Sequence, residues 1–417
     1  MHDSRTDAEP GSTKSRSSAL ECLQHCSDRS IYSEELYRIT CVRSDCEPIS
    51  PLRANIGRTL NLESVSRVLL LNWGDSALPF FLGSNNIDVE VDPAGEEVAS
   101  LVALQCASLG RVKTVRNEAV HSYSGTYDLI IARSSVHRDP AAFLELINGL
   151  MPFVGDAGYL ALALEGASGP GQYEQLIQTI EDSQEAVLHP EETLLAFPSL
   201  NSPEMLARTD FLGTTPGAWV HIASYLDENG LPRLPGTAPK RTVWRILQQH
   251  DTLPLFSVDR FLVLSHPGSR QTVFSTVDFL HTSFGTRKRQ FWLETTKPRS
   301  LASVCRKQIY PEASGDRSAT TGHHVPEFQH KVMDEQYLPY PKLSELWLEA
   351  LQNTRSGMGS FRDLVEVYVT FLQQTLGETG AKPLDLIPDN VVIAPGGDYY
   401  PIDQEWWTAR MDFGAPE

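Results

Sequence analysis

No stretch of this 417-residue sequence reaches the ~18 consecutive apolar residues that a helix needs to cross a bilayer, so no membrane span is expected. A basic surplus is also missing: 35 Lys and Arg stand against 53 Asp and Glu, a formal charge of −18. A protein that displaces counterions from backbone phosphates needs the opposite balance, which disfavours nucleic acid as a partner. The short run Arg287-Lys288-Arg289, beside Phe291 and Trp292, reads as a solvated strand end. The amino terminus carries acids where a secretory signal would have an apolar core, and the expected location is cytoplasmic. Cysteine is sparse as well. Cys22, Cys26, Cys41 and Cys46 fall early, but they lack the flanking glycines of tight zinc-binding turns and read as unlinked thiols.

What remains is an ordinary globular composition, 41% hydrophobic and 21% charged, on a chain long enough for two or three domains. Residues 1–18 are almost free of apolar side chains and read as a disordered tail. Residues 19–60 read as a helical cover. From Arg67 the pattern becomes periodic: strand-like segments at 67–71, 87–91, 112–115, 127–132 and 158–164 alternate with helical segments at 94–109 and 140–151. Strands alternating with helices predict an α/β fold, a doubly wound Rossmann-type parallel sheet. The first domain is placed at 61–268, with a helical insertion at 165–250 and Phe261–Leu264 as a closing strand. Residues 269–417 read as a smaller α+β module with strands near 272–284, 289–296 and 301–310 and helices at 343–352 and 361–376.

An open parallel sheet binds its ligand beyond the carboxyl ends of its strands, where the first turn lets backbone approach and an acid after the second strand takes ribose hydroxyls. Here the turn is Leu71-Asn72-Trp73-Gly74-Asp75-Ser76 and the acid is Asp92. This arrangement resembles the first motif of class I S-adenosylmethionine-dependent methyltransferases: apolar strand, acid, apolar residue, Gly-x-Gly-x-Gly. Aligned on it, Leu70 takes the acid position, and Asn72, Gly74 and Ser76 take the glycine positions. The resemblance implies S-adenosylmethionine as cofactor, held by Asn72, Gly74, Asp75, Ser76 and Asp92. Asp75 is the nearest replacement for the missing acid, and Trp73 is expected beside the pocket. Asp128 matches the fourth-strand position, structural or facing the cofactor. His137, after that strand, has the side chain of a general base near neutral pH.

A second constellation lies near the carboxyl terminus: Asp385, Asn390 five residues on, an apolar run, a Gly396-Gly397 turn and Asp403. It is similar to the protein-kinase pattern of a catalytic Asp, a metal-binding Asn and a metal-binding Asp after a hairpin. That likeness implies Mg-ATP, with Asp385 orienting the acceptor, Asn390 and Asp403 holding the metal, and Lys307 of Val304-Cys305-Arg306-Lys307 reaching the phosphates. Together the halves resemble bifunctional O-antigen chain-terminating methyltransferase and kinase proteins. They imply a methyltransferase acting on a small molecule, sugar or polysaccharide precursor, with a glycan-assembly complex as partner. Two other readings stay open: a noncatalytic methyltransferase-like scaffold, and a phosphotransferase carried by the carboxyl-terminal module.

Overall fold

The computed structural model describes residues 19–115, 123, 125–134, 139–164, 172–182, 189–197, 199–201, 203–215, 218, 259–265, 277–284, 292–309, 328–330, 334–338, 340, 342–352, 357–377, 382–383, 385–402, 404 and 406–408. The amino-terminal segment holds α1 (Ala19–His25), α2 (Glu34–Val42), two 3-10 turns (Ser44–Ile49 and Pro51–Ala54) and α3 (Asn55–Arg58). Ser33 starts α2 by accepting the Leu36 N–H on its hydroxyl.

The αβ alternation follows: β1 (Arg67–Trp73), α4 (Ala77–Ser84), β2 (Asp88–Pro93), α5 (Glu96–Gln105), β3 (Val112–Thr114), β4 (Tyr127–Ser134), α6 (Pro140–Leu150), β5 (Val154–Leu164) and α7 (Gln172–Asp182). These five strands pair in parallel in the order β3-β2-β1-β4-β5. Successive residues of β1, β4 and β5 feed opposite cores, as strands buried on both faces require. Val68, Leu70 and Ile131 meet α4 and α5 on one side; Leu69, Ile130 and Ala132 meet α6 and α7 on the other. That is the doubly wound arrangement expected.

Beyond β5 the sheet changes character. The stretch read as inserted helices carries two strands, β6 (His189–Phe197) and β7 (Met205–Arg208), followed by α8 (Thr209–Thr214) and β8 (Asp259–Ser265). β8 inserts between β5 and β6, antiparallel to both. The helix expected over Thr242–Gln249 lies outside the described residues. Next come β9 (Val277–Thr282), β10 (Leu293–Pro298) and β11 (Ser303–Gln308). They do not start a separate sheet: β9 pairs with β7, and β10 and β11 extend the same edge. Among the described residues the sheet has 12 strands.

The last part contains β12 (Phe328–His330), β13 (Glu335–Gln336), α9 (Leu343–Gln352), α10 (Gly357–Gly377), β14 (Lys382–Pro383), β15 (Val391–Ile393), β16 (Tyr399–Pro401) and β17 (Trp406–Thr408). β13 closes the outer edge against β11, and β17 lies between β12 and β14. β15 and β16 form a hairpin whose turn places Gly397 at φ 85, a conformation that favours glycine. No helix among the described residues is long and apolar enough to cross a membrane.

Candidate functional site

β1 has β2 on one side and β4 on the other, and the chain leaves the sheet in opposite directions from this point. The crevice beyond their carboxyl ends is therefore where such a sheet takes a ligand. Asn72 occupies the first glycine position at φ 50, which asparagine tolerates, and its amide donates to the Arg133 carbonyl at 3.3 Å. Trp73 turns away. It is buried in the core with Val68 and Leu70, so the expectation that its indole crowds the pocket is corrected: the positive φ of Asn72 and the register shift after Leu70 break the strand's alternation and return the indole to that side.

The rest of the turn is built inward. Asp75 is 2% exposed and accepts the Leu78 N–H at 3.0 Å, capping α4. Ser76 is fully buried, and its N–H donates to the Pro48 carbonyl at 3.1 Å. These two buried residues hold the turn. Only Asn72 and Gly74 keep appreciable exposure between Leu71 and Ala77.

Gly74 is covered by a side chain of the protein itself. A Cβ there would lie 2.5 Å from Nη1 of Arg133, which reaches across from the end of β4. Arg53, from the second 3-10 turn, donates to Asn201 Oδ1 at 3.0 Å, and Arg133 donates to the same oxygen. Arg53 also lies 3.5 Å from Asp75 and 3.8 Å from Glu47. Burial, and next the nearby Arg53, lower the pKa of Arg133, while Asp75 and Asp259 act against them. Asp259 fixes the turn that carries Asn201 by accepting the Leu200 N–H at 2.9 Å.

Asp92 sits at the carboxyl end of β2, half-buried, and accepts the Tyr123 hydroxyl at 2.9 Å. Burial pushes its carboxyl above the usual range, against the opposing effect of that hydrogen bond. The Ala94 N–H donates to the Trp73 carbonyl at 2.8 Å, tying the ends of β1 and β2 together. Asp128 lies at the far end of the sheet. It accepts from the Ser66 N–H, the Ser66 hydroxyl and the Arg67 N–H, and its role is structural. Burial raises its pKa, but these three donors outweigh that and hold the carboxyl below its ordinary value. His137 lies outside the described residues.

In the carboxyl-terminal part, the buried Asn390 donates to the Asp385 carbonyl at 3.1 Å, and its own carbonyl accepts the Ile402 N–H at 2.8 Å. The loop is thus folded against the hairpin. Asp403 lies outside the described residues. Lys307 is directed elsewhere: its ammonium pairs with Glu294 of β10 at 2.7 Å, and Glu294 also meets Arg58 at 3.1 Å. The cation that turns toward the carboxyl-terminal segment is Arg306. It pairs with Glu335 at 2.8 Å, and Glu335 accepts the Gln404 N–H at 2.8 Å. No cluster of three or more His, Cys, Asp or Glu among the described residues has the arrangement of a metal site.

Arg53, Arg133 and Asn201 had no place among the expected site residues. Arg133 carries a signal that was legible, a charge at the carboxyl end of an apolar parallel strand; Arg53 and Asn201 reach the crevice only through folding.

No protein-family model matches the chain, and no curated protein matches it. Solved structures similar to it include a StiE O-MT fragment, 16% identical, with a TM-score of 0.32 over 60% of this chain and 90% of that one. An rRNA methylase from Streptococcus thermophilus is 10% identical, with a TM-score of 0.28 over 52% and 96% of the two chains. A ribosomal protein L11 methylase from Lactobacillus delbrueckii subsp. bulgaricus is 15% identical, with a TM-score of 0.29 over 37% and 75%.

Proposed function

We propose that the crevice at the ends of β1, β2 and β4 binds S-adenosylmethionine and that the chain is a methyltransferase for a small-molecule or glycan acceptor. The observation that carries this reading is Asp92, whose half-buried carboxylate stands at the end of the second strand beside the first turn, where a ribose is held. The order β3-β2-β1-β4-β5 is that of a nucleotide-binding sheet, while the antiparallel β8 beside β5 separates it from sheets that continue in parallel to a sixth strand. The cofactor fits once the Arg133 guanidinium, the far end of a flexible side chain, swings off Gly74. Asp92 then accepts from the ribose hydroxyls, and Arg53 and Arg133 present their donors to the ligand carboxylate. The cofactor supplies an electrophilic methyl group on a sulfonium. His137 takes the proton of the acceptor hydroxyl.

Calorimetry with S-adenosylmethionine tests the reading. Binding should weaken by roughly 10- to 100-fold in Asp92→Ala, the loss of a charge-assisted hydrogen bond. An absence of heat for the unaltered protein at millimolar ligand would overturn it. The scaffold reading is favoured by the same Arg133, which closes the cradle at Gly74. It predicts that only Arg133→Ala gains binding.

A phosphotransferase reading of the carboxyl-terminal module draws on a different observation. Asp385-Leu386-Ile387-Pro388-Asp389-Asn390 has the D-L-x-x-x-N form of a kinase catalytic loop, and it lies between β14 and the β15–β16 hairpin. Binding of ATP that requires Mg²⁺ and is lost in Asp403→Ala supports this reading; equal affinity without the metal removes it.

A further inference from the structure

Cys22 on α1 and Cys46 in the first 3-10 turn approach to 3.2 Å between their sulfur atoms. Both are unlinked, although 24 residues of chain separate them. They share a small apolar cluster with Leu23, Cys26, Leu36 and Leu101, which packs the amino-terminal segment against α5 of the sheet domain. A disulfide needs its sulfurs about 2.05 Å apart, and the remaining distance is within reach of side-chain rotation.

The position of Cys46 gives the pair a consequence. Glu47, the next residue, lies 3.8 Å from Arg53, and the Pro48 carbonyl accepts the Ser76 N–H at 3.1 Å. A covalent tie at residue 46 is therefore two residues from a hydrogen bond that holds the crevice turn. The two thiols also differ in access: Cys22 is half-buried and Cys46 is fully buried. Burial, and then the neighbouring Cys22, push the Cys46 thiol up to about 12.

We propose that Cys22 and Cys46 form a reversible disulfide that fastens the amino-terminal segment to the rim of the crevice, with a low-molecular-weight disulfide of the glutathione kind as oxidant. The Cys22 thiol loses its proton and attacks one sulfur of the oxidant, breaking that S–S bond, forming a mixed disulfide and releasing one thiolate. The Cys46 thiol then loses its proton and attacks the Cys22 sulfur, which expels the second thiolate. Two protein thiols become one disulfide, one oxidant becomes two small thiols, and two protons pass to the two released thiolates. Cys22 reacts first because its sulfur is the accessible one; Cys46 resolves because it is already in place. Excess small thiol reverses both steps.

The full-length protein is incubated with oxidised glutathione, then alkylated, digested with trypsin and mapped by mass spectrometry. The expected product joins peptide 17–29 to peptide 44–53, disappears on reduction, survives in Cys26→Ser and is lost in Cys22→Ser. The melting temperature of the oxidised protein should exceed that of the reduced protein by several degrees. Amide exchange at Ser76 should slow several-fold on oxidation, and neither change should occur in Cys46→Ser. A glutathione adduct that stops at Cys22, a linkage persisting in Cys22→Ser, or the absence of any linkage overturns the proposal. Peptide mapping of the unaltered protein separates these outcomes even if a serine variant fails to fold.

Discussion

Glu192 and Arg208 face each other across β6 and β7 with side chains 7% and 6% exposed, and Asp210 draws on the same guanidinium. Sharing one cation between two carboxylates leaves Glu192 only partly compensated. Its pKa rises from 4.5 to about 7, through burial first, with Arg208 opposing and Asp210 and Asp278 adding to the rise. A carboxyl whose pKa is raised in the folded state binds its proton more tightly there than in the unfolded chain. Its contribution is complete below 4.5 and is lost as pH climbs through about 7. Stability should therefore fall between those values, by roughly 3 kcal/mol at most from this group. Denaturant unfolding at pH 4.5 and pH 7.5, compared with Glu192→Gln, checks the sign. A wild-type and variant pair with parallel pH profiles removes Glu192 from the account.

At the level of the element, register decides what each side chain of β11 can do. Arg306 and Lys307 are neighbours in sequence and point to opposite faces. The Arg306 side chain is 3% exposed and faces Glu335, whereas that of Lys307 is 69% exposed. Arg306→Ala should cost about 3 kcal/mol by stranding a partly buried carboxylate, and Lys307→Ala about 1 kcal/mol or less, since Arg58 still pairs with Glu294. Equal losses in urea melts of the two variants would show that facing does not set the cost. The same principle explains what was legible in the sequence. β1, β4 and β5 announce themselves because strands buried on both faces are continuous apolar runs, β2 because Val89 and Val91 alternate with acidic residues, and α9 and α10 because their apolar residues recur at helical spacing. The β6–β7 hairpin was not legible: its run is short, and antiparallel partners are chosen by contacts made outside the window being read. Asp92 was legible because its place depends on one strand end. The convergence of Arg53, Arg133 and Asn201 was not, since Asn201 stands 148 residues from Arg53 in sequence.

Across the whole molecule, the two halves of the sequence share one sheet, and the junction is β7. Its four residues are all buried, and it pairs with β6 on one side and β9 on the other. The amino-terminal segment spans the same junction. Asn55 donates to both the Pro203 carbonyl and the Thr282 hydroxyl at 2.6 Å, and Arg58 pairs with Glu294 at 3.1 Å. A fragment ending at residue 268 would lose β9 and β10 together. It would expose the backbone edge of an apolar strand, take the Thr282 hydroxyl from the buried Asn55 amide and leave the buried Arg58 guanidinium without its carboxylate, conditions that favour edge-to-edge association. The 1–268 fragment should therefore elute from a sizing column as aggregate, whereas 1–309, which keeps β9 to β11, should elute as a monomer. The difference arises because the open edge of the longer fragment is β11, whose alternating polar residues and Lys307 oppose pairing with a second copy. A monomeric 1–268 fragment with a cooperative thermal transition would mean that the sheet is complete at β7 and that the strands after it are an appendage.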